Sequence, residues 1–158
     1  MKSTLVVGEV IEVSIEKVAH GGHFIARHEG CVIFVRHAIP GEKCRIQITS
    51  VGSSFNRADV VETLEASSDR VVAPCEYSNR NGCGGCDFQH ITIERQRKLK
   101  ADVITEQFAR IAKMGMAVEV ESVGPELGWR SRITSTTDKT KVTISIGCGV
   151  NSRSPTKL

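Results

Sequence analysis

Three of the six cysteines fall within one short polar segment, Pro74-Cys75-Glu76-Tyr77-Ser78-Asn79-Arg80-Asn81-Gly82-Cys83-Gly84-Gly85-Cys86-Asp87-Phe88-Gln89-His90, with the spacing C-x7-C-x2-C-x3-H. A C-x2-C pair lets two thiolates converge on one metal centre, and Gly84-Gly85 permits the tight backbone between them. Backbone amides in such a turn can point at sulfur and stabilise its negative charge. Two kinds of centre suit these ligands. One is an iron–sulfur cluster held by Cys75, Cys83, Cys86 and a fourth residue from elsewhere. The other is a tetrahedral zinc site made by the same three cysteines and His90. Cys31, Cys44 and Cys148 stand apart from this group.

A second set of residues suits phosphate. Lys17, Arg27, Arg36, Lys43 and Arg45 cluster near His20, His23, His28 and His37, so four of the five histidines lie between positions 20 and 37. Residues 1–70 carry eight Lys/Arg against nine Asp/Glu, and residues 71–158 thirteen against nine; these sum to −1 and +4, the net +3 of the chain. A local basic face on a nearly neutral segment favours phosphate contact more than the net charge reveals. Lys17, His20, His23, Arg27, Arg36, Lys43 and Arg45 are therefore the candidate RNA-binding residues. Phe24 and Phe34 are candidates for base stacking, although with aromatics at only 4% of the chain a core role is expected for Phe34.

These residues need elements to position them. Residues 5–65 read as about five short strands broken by turns at His20-Gly21-Gly22-His23, Glu29-Gly30, Pro40-Gly41 and Gly52-Ser53-Ser54. Strands at turn spacings of roughly ten residues describe a small closed barrel, often of the OB type. Ser67-Ser68-Asp69 and Ala73-Pro74 mark a boundary before the cysteine segment. From 92 to 114 the pattern becomes helical: Thr92 can cap the start, Glu94 suits the first turn, and Gly115 can end it. Leu99, Val103, Ile104, Phe108 and Ile111 form one apolar stripe that needs a partner surface. Short strands are expected at 117–123, 129–135 and 141–147. The expected class is α+β, mostly β with one long helix. Hydrophobic residues at 40% and charged residues at 25% describe a soluble globular protein, and no apolar run approaches the ~20 residues that span a bilayer. No secretory signal is visible, so a cytoplasmic location without membrane contact is expected.

Three motifs together resemble the S-adenosylmethionine-dependent uracil-C5 methyltransferases of ribosomal and transfer RNA. His20-Gly21-Gly22-His23, Ala26-Arg27, Gly30 and Phe34-Val35-Arg36-His37-Ala38-Ile39-Pro40-Gly41-Glu42 look like a TRAM domain, the RNA-binding barrel that precedes these enzymes. Pro74-Cys75 and Cys83-Gly84-Gly85-Cys86-Asp87-Phe88-Gln89-His90 look like the family's 4Fe–4S motif. Gln96, Lys100 and Trp129-Arg130-Ser131-Arg132 resemble the start of its central RNA-contacting β domain. The resemblance implies residues 1–66 as an OB-like TRAM barrel, 67–91 as an iron–sulfur loop, and 92–158 as a helix plus a truncated central β domain. It favours iron–sulfur over zinc, with Cys75, Cys83 and Cys86 as ligands; the fourth is missing or is Cys148, which lies upstream of the family's own position. The implied partner is rRNA or tRNA rather than DNA.

Family members hold S-adenosylmethionine in a C-terminal Rossmann-like domain with a nucleophilic cysteine and a carboxylate base. No strand–Gly-rich-turn–helix unit of that kind is present here. No residue is therefore assigned a catalytic or S-adenosylmethionine-binding role, and the chain alone is expected to be inactive. A separately encoded catalytic domain would complete it. The alternative is a stand-alone TRAM-type RNA-binding protein or RNA chaperone with an iron–sulfur or zinc centre.

Overall fold

A computed structural model of the chain describes residues 5–80 and 86–127. Five strands, β1 (Val10–Val18), β2 (Phe24–His28), β3 (Cys31–Arg36), β4 (Lys43–Val51) and β5 (Asn56–Glu65), are followed by the helix α1 (Ile93–Gln107). The strands close into a barrel in the order β1-β2-β3-β5-β4. All pairings are antiparallel except β3 with β5. The mostly-β class, the five-stranded barrel and the single long helix are as expected.

Alternation sets the wall. Ile33 and Val35 of β3, and Asn56 and Ala58 of β5, point inward, while their neighbours point out. Inside lie Phe24, Ala26, Ile33, Val35, Ile46, Ile48 and Ala58, each at most 1% exposed. The β2–β3 hairpin turns on Glu29 and Gly30, whose φ values of 49° and 78° are the two positive angles of a I′ turn matched to strand twist.

The helix begins and ends differently from expectation. Thr92 sits at the cap position, but its hydroxyl donates to Asp69 Oδ1 (3.4 Å) and makes no cap bond. Past Gln107 the chain widens into a π-helical turn, Phe108–Ala112, and Lys113 at φ 57° stops it before Gly115. The apolar stripe divides. Leu99 is 1% exposed and Val103 packs with it on the barrel core, so the barrel itself is the partner surface for this half. Ile104, Phe108 and Ile111 remain exposed. Residues 117–123 form no strand: no neighbouring strand pairs with them among the described residues, and a lone extended segment leaves its backbone groups to water. The strands expected at 129–135 and 141–147 lie outside the described residues.

Candidate nucleic-acid interface and cysteine site

The outer wall of β3 and β5 carries an aromatic pair edged by cations. The parallel register sets Phe34 beside Arg57 and Arg36 beside Asp59. The Phe34 and Phe55 rings meet edge to face at 5.1 Å, and His23 stands edge-on to Phe34 at 6.2 Å. Arg57 Cζ lies 5.7 Å from the centre of the Phe55 ring. Phe55 is 43% exposed, and Arg57, also exposed, makes no ion pair among the described residues. A guanidinium beside an accessible ring offers a charge for phosphate and a flat face for a base.

Local backbone holds this arrangement. A Cβ on Gly52 would come within 2.6 Å of the Phe55 carbonyl oxygen, so only glycine fits the turn that delivers Phe55 to the wall. Asn56, 2% exposed, closes the same turn by accepting a hydrogen bond from the Gly52 N–H at 3.3 Å. Arg36 donates to Asp87 at 3.2 Å, and Arg80 donates to Gln47 at 2.6 Å. Burial holds His23 below its usual pKa, with Arg57 and Arg36 adding to the effect against the Gly21 carbonyl and Asp87. Burial raises Asp59, opposed by Arg36 and Arg80.

Of the seven residues proposed from sequence to touch RNA, His23 and Arg36 belong to this wall. The others are distributed around the barrel. Lys17 pairs with Glu106 (2.7 Å) and so ties β1 to α1; Arg27 pairs with Glu16 (3.3 Å); Arg45 sits between Glu12 (3.3 Å) and Glu62. Lys43 and His20 are exposed, and Lys43 makes no ion pair among the described residues. Surface pairs of this kind contribute about 0–1 kcal/mol each and yield readily to another anion. Phe24 and Phe34 take roles opposite to those expected. Phe24 is fully buried and Phe34 stands on the outer wall, because Phe34 alternates with buried Ile33 and Val35. Sequence reasoning missed Phe55, Arg57 and Arg80. For Phe55 and Arg57 the signal lay in the parallel pairing of two strands separated by a third, which no local pattern encodes; Arg80 reaches the barrel from outside it, through Gln47 of β4.

The cysteine segment leaves and returns to the barrel at one point. Arg70 bridges to Ile91, the Val71 N–H donates to the His90 carbonyl (3.0 Å), and the Thr92 N–H donates to that of Asp69 (2.9 Å). Beneath this junction lies Glu42, whose side chain is fully buried. It accepts from Arg70 Nε (2.7 Å) and Nη2 (2.6 Å), and from the backbone N–H groups of Ile39 (2.9 Å) and Ser67 (3.1 Å). Burial pushes the Glu42 carboxyl up, but Arg70 and the two N–H donors outweigh it and hold the group below the ordinary carboxylate range. Above the junction, Phe88 packs on Phe24 at 5.7 Å and Gln96 Nε2 donates to the carbonyls of Phe88 and Ile91.

Cys75 and Cys86 are each half-buried. Gln89 joins them: its Oε1 accepts from the Cys75 N–H (3.2 Å) and its Nε2 donates to Cys86 Sγ (3.2 Å). Gln89 thus touches the backbone of one proposed ligand and the sulfur of another. Cys83 and Cys148 lie outside the described residues. Among the described residues no three His, Cys, Asp or Glu side chains group closely enough to hold a metal. His90, the alternative zinc ligand, is 8% exposed, with its Nε2 hydrogen-bonded to the Ala38 carbonyl at 3.0 Å and its ring against His37. That commits it to the barrel. Cys44 is an inert core thiol, pushed up to about 11 by burial and by Glu42. Among the described residues no helix is long and apolar enough to cross a membrane.

Residues 5–61 match the TRAM domain family. The chain is 51% identical, over 77% of its length, to an uncharacterized RNA methyltransferase of Streptomyces avermitilis, and covers 27% of that protein. It is 40% identical, over 75% of its length, to a protein of Chromohalobacter salexigens named 23S rRNA (uracil(1939)-C(5))-methyltransferase RlmD, and covers 25% of it. A Methylococcus capsulatus protein of the same name is 39% identical over 78% of the chain, which covers 28% of it. The chain thus spans about a quarter of the length of the curated relatives it matches.

Proposed function

From the premise that this chain carries a TRAM domain and is homologous to one part of proteins named RNA methyltransferase, we propose that it is the RNA-binding portion of a uracil-C5 RNA methyltransferase acting on rRNA or tRNA. The observation that carries the reading is the exposed Phe55 ring, set against half-buried Phe34 on the outer wall with Arg57 beside it, on a TRAM barrel. An unpaired base stacks on the Phe55 ring while Arg57, Lys43 and His20 face the backbone phosphates, and Lys17, Arg27, Arg36 and Arg45 exchange carboxylate partners for phosphate where the RNA reaches them. S-adenosylmethionine and the methyl-transfer chemistry belong to the part of the relatives that this chain does not span.

The same reading divides the chain into the barrel (1–66), a cysteine loop (67–91) and a helix leading into a central β domain (92–158). Cys75, Cys83 and Cys86 hold a 4Fe–4S cluster with a fourth ligand, Cys148 being the candidate within this chain. The hydrogen bonds of Gln89 to the Cys75 backbone and the Cys86 sulfur support this, and the commitment of His90 to the barrel favours iron–sulfur over zinc. The cluster orders a loop that has little apolar surface to bury.

The test is binding of a fluorescent single-stranded RNA containing uridines, measured across a salt series. Affinity falls as salt rises. Phe55→Ala costs about 1–3 kcal/mol, the range for losing one base–aromatic stack. Gly52→Ala, which removes no RNA-facing group, weakens binding by displacing Phe55. Binding that ignores salt, or that Phe55→Ala leaves unchanged, would overturn the reading.

A further inference from the structure

The two residues flanking Gln89 are fixed to the barrel: Phe88 lies against Phe24, and His90 is buried with its Nε2 on the Ala38 carbonyl. Gln89 is half-buried between them, so its side chain leaves a rigid base in a set direction. The orientation of its amide follows from its neighbours. The Cys75 N–H can only donate, so Oε1 faces it and the NH2 group must face Cys86 Sγ. One side chain therefore fixes the start and the end of the cysteine segment relative to each other, and presents an N–H to a sulfur that would be anionic when bound to metal.

We infer that Gln89 is a positioning residue of the cysteine centre: its amide fixes Cys75 against Cys86 and donates a hydrogen bond to the metal-bound Cys86 thiolate. The inference rests on the proposed role of these cysteines as ligands, and adds a residue that touches no metal. Groups that hold first ligands in place typically change metal affinity by roughly 10–100-fold when removed. An N–H donated to sulfur also stabilises the more reduced, more negative state of an iron–sulfur centre and so raises its reduction potential.

The experiment uses the full chain, reconstituted anaerobically with ferrous iron and sulfide and followed by its visible absorption. Gln89→Leu removes both hydrogen bonds. Gln89→Glu keeps an oxygen for the Cys75 N–H but loses the donor to sulfur. Under a chelator, Gln89→Leu is expected to bleach roughly 10–100-fold faster than the parent, with Gln89→Glu in between. Both variants shift the midpoint potential to more negative values, while thermal melting of the barrel stays that of the parent. If the parent takes up no iron, the reading of the cysteines falls and this inference with it. If the parent loads and both variants match it in lability and potential, the Gln89 assignment alone is overturned.

Discussion

Inside the barrel, Phe24, Ile33, Val35 and Ile46 are fully buried and five strands share one apolar centre; in residues 71–90, by contrast, Val72 is 94% exposed and Tyr77 40%. The barrel is ordered by burial. The cysteine segment is ordered by a few polar contacts at its base, Glu42 with Arg70 and His90 with Ala38, and by the docking of Phe88. Burial is non-directional and tolerates many sequences, whereas a buried carboxylate with four N–H donations tolerates almost none. The first region should therefore fail as a whole and the second should detach by itself.

The largest effect sharpens that contrast. Phe24→Ala empties the barrel centre and removes the ring on which Phe88 rests, so both regions loosen; denaturant titration should show a loss of about 3–5 kcal/mol. Glu42→Gln leaves the Arg70 guanidinium facing a neutral amide. A stability loss of about 1.5–3 kcal/mol is expected, with faster amide exchange at Val71 and Thr92 than in β3 or β4. Equal acceleration throughout would show that the two regions open together.

Acid should act on the junction in the same way. Burial lowers both His37 and His90 to about 4, the charge of Arg36 contributing at His37 and the Ala38 carbonyl opposing at His90. Unfolded histidines take up protons near 6.5, so between pH 6.5 and about 4 the unfolded chain binds protons that the folded one refuses. Stability is full above that window and falls as pH drops through it, by up to about 1.4 kcal/mol per unit for each histidine. Melting temperature against pH checks this, and His90→Gln should flatten the slope. The smallest effect belongs to the barrel surface: Arg45→Ala, between Glu12 and Glu62, should cost about 0.2–1 kcal/mol and lose even that in high salt.

Much of the barrel was legible because alternation and turn chemistry are local. Glu29-Gly30 and Pro40-Gly41 announced their turns, and Cys31 to Val35 announced a strand. The helix was legible in its body but not at its end, where Lys113 takes a left-handed conformation that its side chain gives no reason to expect. The candidate site was half legible. As candidates, Cys75 and Cys86 stood out by spacing, and His23 and Arg36 by the local cluster of basic and imidazole side chains. Phe55 and Arg57 did not, because their value comes from standing beside Phe34 across a parallel pairing of β3 and β5. Glu42 was equally hidden: an acid after Pro40-Gly41 reads as a solvated turn residue, and only the return of Arg70 across the barrel makes it a buried anchor.

Ring closure has one more consequence. Each of the five strands has a hydrogen-bonded neighbour on both sides, β4 returning to β1, so the barrel offers no vacant strand edge onto which another polypeptide could add. Whatever this module grips must be gripped by side chains standing off its wall. That suits a ligand whose bases and phosphates are read as faces and charges, and it spares the barrel from pairing edge to edge with its own copies.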